Sequence, residues 1–161
     1  PDGRLVIQAT RPGSGPAPLV LSADGRTTTT LLPAEVTLPV SGRNLISPDG
    51  SRMVAFDPVG QLVLCAVAKP VCHPAAGTRQ GDDVAGWSAD GQSLFVYQRQ
   101  SVEVKIDRLE VASGRRSAWK TVHPLKPLVS GLTNLIVSPD GAVAYGYSRN
   151  ASQLYVIKGL K

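Results

Sequence analysis

Ser47-Pro48-Asp49-Gly50 returns as Ser88-Ala89-Asp90-Gly91 and again as Ser138-Pro139-Asp140-Gly141, and its last three residues open the chain as Pro1-Asp2-Gly3. The glycines of these four copies stand 47, 41 and 50 residues apart. Self-similarity at a nearly fixed period outranks local propensity, because each copy must be one supersecondary unit packed on the next. The motif itself is turn chemistry: proline presets φ, aspartate bonds to nearby backbone, and glycine supplies φ > 0. Asp49 with Gly50, Asp90 with Gly91, and Asp140 with Gly141 are therefore expected to be structural turns. Ser22-Ala23-Asp24-Gly25 matches the phrase but falls out of period. It reads as an outer hairpin turn, equivalent to Ala112-Ser113-Gly114.

Working outward, each turn sits between strand-like runs. Asn44 to Ile46 precedes the first complete copy and Arg52 to Phe56 follows it; Val84 to Trp87 and Gln92 to Tyr97 flank the second, Leu135 to Val137 and Ala142 to Tyr147 the third. A third strand is expected at Leu19 to Leu21, Gln61 to Val67, Val104 to Val111 and Leu154 to Ile157. A fourth is expected at Thr27 to Leu32, Val71-Cys72 and Ala118 to Val122. Four short antiparallel strands recurring about every 40 to 50 residues are the blades of a β-propeller. The expected fold is thus all-β, with about three and a half four-stranded blades. An incomplete blade covers residues 1–34, whole blades cover 40–76 and 82–122, and a last one over 129–161 lacks its outer strand. A closed ring takes about four to eight blades. The expected partners are accordingly the remaining blades or a second copy of the chain, covering open faces and edges.

Composition agrees with a folded chain. Hydrophobic residues make up 42% and charged residues 18%, a balance that excludes both disorder and a wholly membrane-embedded protein. No apolar run approaches the ~20 residues of a bilayer span. The formal charge is +5, but the basic residues are scattered and only Arg115 and Arg116 are adjacent. Without a basic stripe to follow a phosphate backbone, nucleic acid is not an expected partner.

With its repeated turns, the chain resembles a TolB-like, WD-type β-propeller, whose blades carry a Ser-Pro-Asp-Gly turn between their first two strands. Two stretches carry a narrower resemblance: Arg108-Leu109-Glu110-Val111-Ala112-Ser113-Gly114-Arg115-Arg116 through Trp119-Lys120, and Val137 to Gly141 through Tyr145, Tyr147, Ser148, Arg149, Ser152, Leu154, Tyr155 and Gly159-Leu160-Lys161. Both are similar to the C-terminal propeller of acidobacterial-type serine/threonine protein kinases. That resemblance implies a propeller placed after a kinase domain and a membrane-spanning helix, acting as a sensor or interaction platform outside the cytoplasm, with Lys161 at the natural C-terminus. The ending departs from the family at Gln153, where aspartate is common, and at Lys158, where an acidic residue is common. The chain contains no Gly-x-Gly-x-x-Gly loop, His-Arg-Asp or Asp-Phe-Gly, so this segment is not expected to be an enzyme. The alternative is the propeller of a hydrolase, prolyl-peptidase-like or lactonase-like.

Residues with chemistry are few. His73 and His123 are the only histidines, and Cys72-His73 lacks the second ligand pair a zinc site needs. Neither a metal nor a cofactor is expected. Cys65 and Cys72 flank the turn at Lys69-Pro70, so a hairpin would set them opposite each other, either bridged or as two buried thiols. Loops joining the fourth strand to the next blade, and the second strand to the third, hold Arg43, Asp57, Arg79, Asp82, Asp83, Arg99, Arg149 and Asn150. These are the candidate partner-binding residues, set against the alternative of solvated turn tips. Trp87 is expected in the core, while Trp119 on an outer strand is either packed or a partner anchor. Whether the ligand is a protein or a small molecule is not written in these residues.

Overall fold

The computed structural model describes residues 5–10, 16–21, 24–30, 32–33, 36–38, 45–69, 71–98, 103–123 and 129–149. Among them all regular structure is β. Strands β1 (Leu5–Thr10), β2 (Pro16–Leu21) and β3 (Thr28–Thr30) form the first sheet, and β4 (Arg52–Phe56), β5 (Leu62–Ala66) and β6 (Cys72–Pro74) the second. The third contains β7 (Asp82–Trp87), β8 (Ser93–Gln98), β9 (Val104–Glu110) and β10 (Arg116–Val122); the fourth pairs β11 (Val129–Val137) with β12 (Val143–Arg149). Every pairing is antiparallel between strands consecutive in sequence. No helix among the described residues is long and apolar enough to cross a membrane.

The repeated phrase makes the same turn three times. In each copy the glycine N–H donates to the serine carbonyl, at 2.8 Å for Gly50 and 2.9 Å for Gly91 and Gly141. The glycines lie at φ of 73°, 65° and 85°, where a side chain is disfavoured. The serine does as much as the other three residues. Ser47 Oγ donates to Asp49 Oδ1 at 2.5 Å and accepts the Arg52 N–H at 2.9 Å; Ser88 bonds Asp90 and the Ser93 N–H at the same distances. The out-of-period phrase at Ser22 to Gly25 lies between β2 and β3, and Gly114 lies between β9 and β10, each with a left-handed glycine.

Alternation along the strands sorts side chains onto two faces, and the sheets stack through them. Met53, Ala55, Val63 and Cys65 meet Leu32, Val36 and Leu45 on one face of the second sheet. The intervening Val54 and Leu62 face the third sheet, against Val84, Trp87, Leu94, Val96 and Leu109. On its far side the third sheet offers Ala85, Phe95, Tyr97, Val104 and Ile106 to Leu135 and Val137 of the fourth. Burial falls from the inner strand outward: β7 is buried along its whole length, whereas β10 is half-buried or exposed everywhere except at Val122. Gly86 allows a close approach between the third and fourth sheets, since a Cβ there would stand 2.3 Å from the Val137 carbonyl oxygen.

The structure adjusts several expected boundaries. On the inner side of the second sheet, among the described residues, Thr37 and Ile46 make isolated bridges to Phe56 and Met53, and Asn44 lies outside the described residues. Among the described residues only the third sheet has four strands. β11 starts at Val129, six residues before the expected Leu135, because bulges between Val129 and Gly131 and between Thr133 and Leu135 keep it in register with β12. Pro1-Asp2-Gly3 and the third strand expected at Leu154 to Ile157 lie outside the described residues.

Candidate functional site

The β4–β5 turn and the start of β7 meet beside the bridge at Thr37. Together they enclose a cleft of about 420 Å³ lined by Leu38, Phe56, Asp57, Pro58, Asp82 and Asp83, with Thr37, Gly60 and Gly81 completing the wall. Three of the eight loop residues singled out in the sequence are thus brought to one cavity. They are not alike. Asp57 is half-buried and builds its own turn, its Oδ1 accepting the N–H groups of Val59 at 3.0 Å and Gln61 at 2.8 Å.

Asp82 and Asp83 were expected on a loop tip; they are instead the first two residues of β7, buried at 3% and 2% exposure. A buried carboxylate persists only with compensation. Arg116 supplies it for Asp82 through a two-pronged contact, 2.6 Å from Nη1 and 3.1 Å from Nη2, and the Arg79 backbone N–H adds a bond of 2.7 Å. Nε of the same guanidinium donates to Asp107 at 2.7 Å. Burial works against the Arg116 cation, but the bonds from Asp82 and Asp107 prevail and hold its pKa above the ordinary value. Asp83 accepts the Tyr97 hydroxyl at 3.1 Å and the Val84 N–H at 2.8 Å. One carboxylate is thus fastened across its own sheet by a cation, its neighbour by a phenol.

Arg79 is exposed and lines a second cavity of about 520 Å³ with Gln98, Glu103, Lys105, Asp107 and Arg116. Arg43, Arg99 and Asn150 lie outside the described residues, and Arg149 is described only as the backbone end of β12. Cys65 and Cys72 are directly opposed on β5 and β6 and are joined by a disulfide. Trp87 is 2% exposed, donating its indole N–H to the Leu45 carbonyl at 3.0 Å under the Arg52 guanidinium. Trp119 is packed, with its ring 4.4 Å from Phe95. Asp49, Asp90 and Asp140 each bond within their own turn. Among the described residues no three His, Cys, Asp or Glu side chains gather as metal ligands.

Sequence reasoning missed Arg116, Leu38, Phe56 and Pro58. Arg116 had one legible signal, its place at the head of an outer strand paired with the strand carrying Asp107. The apolar wall had none, since it forms only where two sheets meet.

The sequence matches no family model and no curated protein. Solved structures do resemble it. TolB from Agrobacterium tumefaciens superposes with a TM-score of 0.61 at 16% identity, over 91% of this chain and 51% of that one. TolB from Acinetobacter baumannii gives 0.58 at 13% identity, over 86% of this chain and 39% of that one. The fold is propeller-like. At these identities the likeness shows the fold alone, and the chain spans about half of one of those structures and less of the other. A chain from Bacteroides uniformis described as a 6-phosphogluconolactonase reaches only 0.41, which carries no argument about chemistry. In propeller terms the sheets are blade-like units with β7 innermost in its own. The cleft lies at the end of the sheets that carries the β4–β5 turn and the start of β7, opposite the serine–aspartate turns.

Proposed function

We propose that this chain is a non-catalytic recognition or scaffold segment of a β-propeller, forming the C-terminal part of a bacterial membrane serine/threonine kinase and lying outside the cytoplasm. The observation that carries the recognition reading is the cleft between the second and third sheets. Its floor is held in place, Asp82 by Arg116 and Asp83 by Tyr97, and groups held before a ligand arrives suit a docking surface. Its position on loops presented by packed sheets is where propeller-like scaffolds commonly place function. The Cys65–Cys72 disulfide supports an oxidising compartment. On this reading the sensor end binds its partner through the cleft and transmits occupancy through the blade stack.

The test is the coding sequence upstream of Pro1 together with an activity measurement. Kinase motifs followed by a hydrophobic span of about 20 residues are expected there. Their absence would overturn the kinase architecture, and turnover of a lactone or peptide ester that Asp83→Asn abolishes would overturn the non-catalytic reading.

A further inference from the structure

We infer that the Cys65–Cys72 disulfide is a reduction-sensitive latch on the segment Ala75 to Gly81, which joins the second sheet to the third. The two cysteines face each other across β5 and β6 between two bonded steps of the ladder. Ala66 donates to the Val71 carbonyl on one side and Ala75 to the Leu62 carbonyl on the other, each at 3.0 Å. β6 offers few other holds. It ends the order β4-β5-β6, its His73 and Pro74 are exposed, and Pro74 has no N–H to donate. Cys72, the one half-buried residue of the three, is the one that carries the bridge.

The segment that leaves β6 makes the contact between sheets. Ala75, 5% exposed, packs in the core shared by Leu62 of the second sheet and Leu109 of the third. Gly77 lies so close to the β9–β10 turn that a Cβ on it would overlap the Gly114 carbonyl oxygen, and one on Gly114 would stand 2.9 Å from Ala76. Thr78 closes the bend, its hydroxyl donating to the Ala75 carbonyl at 2.7 Å. Arg79 and Asp82 then exchange bonds: the Arg79 N–H reaches the buried carboxylate at 2.7 Å, and the Asp82 N–H reaches the Arg79 carbonyl at 3.1 Å. Arg79 lines the cavity of about 520 Å³, while Gly81 and Asp82 line the cleft of about 420 Å³. Walls of both cavities thus stand just downstream of one covalent tie.

The bridge is placed for exchange with a dithiol. Cys72 is half-buried on the outer strand whereas Cys65 is 1% exposed, so an incoming thiolate meets the Cys72 sulfur. Attack there breaks the S–S bond and displaces Cys65 as a thiolate, which takes up a proton. The second thiol of the reagent then attacks the mixed disulfide, releasing Cys72 as a thiol and leaving the dithiol oxidised to its own disulfide. The Cys65 thiol remains a small apolar group among Met53, Ala55 and Val63, so β5 keeps its core while β6 is free to lift. What this release does to a bound partner rests on the recognition reading; the latch itself does not.

The test compares heteronuclear NOE values of the ¹⁵N-labelled chain with and without dithiothreitol. On reduction the Ala75 and Arg79 amides are expected to fall from rigid to mobile values, while those of Val54 and Val111, bonded to Leu45 and Gln92, stay rigid. With Cys65→Ala and Cys72→Ala together, the same two amides should be mobile without any reductant. Trypsin should then cut after Arg79 at least about tenfold faster than in the bridged chain. Unchanged values at Ala75 and Arg79 in the reduced chain would overturn the latch and leave the bridge a passive staple. Loss of rigidity at Val54 and Val111 as well would also overturn it, because both sheets would then be loosened rather than one segment released. Neither outcome bears on the recognition reading, since no ligand enters the measurement.

Discussion

A single serine hydroxyl closes each repeated turn, and its effect is measurable as acidity. The Ser47 hydroxyl, followed by that of Ser51, lowers the Asp49 pKa to about 2; Ser88 and Ser138 likewise lower Asp90 and Asp140. A carboxylate whose folded pKa lies below its ordinary ~3.9 contributes stability that is complete above about pH 4. That contribution is lost as pH falls through about 2. Ser47→Ala is expected to return Asp49 toward its ordinary value, read by carboxyl-carbon NMR titration; an unmoved midpoint would show that the hydroxyl is not the cause. The second residue-scale expectation concerns Arg116, whose side chain is 11% exposed against a wholly buried Asp82. Arg116→Ala strands that carboxylate in the interior and should cost about 3 kcal/mol or more in denaturant unfolding. A loss under about 1 kcal/mol, the range of surface pairs, would mean that water replaces the guanidinium.

Among the elements, β6 is short and poor in donors. It has three residues, and one of them, Pro74, has no N–H to give the ladder. The disulfide fixes its register by closing a loop of sequence separation 7 at the pair Cys65 and Cys72. Constraining so short a loop in the unfolded chain is worth about 2 to 3 kcal/mol. Reduction is expected to lower stability by that amount in urea unfolding run with and without a reductant; identical midpoints would show that apolar packing alone holds β6. The inner strands share a different device. β7 shifts register between Val84 and Gly86, and β11 does so beside Asn134, a non-glycine residue at φ 51°. A bulge within a few residues of its turn bends each inner strand, and the glycine at one of them admits the Val137 carbonyl of the neighbouring sheet.

On the scale of the whole molecule, the question is what covers the first sheet. β1, β2 and β3 correspond to β8, β9 and β10, since the β2–β3 and β9–β10 turns carry equivalent glycines, and the place that β7 holds in the third sheet has no counterpart in the order β1-β2-β3. β1 is therefore an edge strand among the described residues, with backbone groups suited to pairing with another strand. We propose that the remaining blades, or a second copy of the chain, supply that strand and the opposing sheet face. Sedimentation velocity of this chain at micromolar concentration should show association; a cooperatively folding monomer, with urea and spectroscopic transitions coincident, would defeat the proposal.

The repeat determined a great deal unaided. The three complete turns, the strands at Arg52 to Phe56 and Gln92 to Tyr97, and the antiparallel order are local properties, set by glycine φ, aspartate and serine bonding, and alternation along a strand. Tertiary structure alone decided the charges. Nothing in the sequence of Asp82 and Asp83 distinguishes a solvated tip from a buried strand start, because the difference comes from Arg116 and Tyr97, 34 and 14 residues away. The cleft is likewise invisible along the chain: Leu38, Phe56 and Asp83 become neighbours only when two sheets pack, and packing, unlike turn formation, depends on residues far apart in sequence.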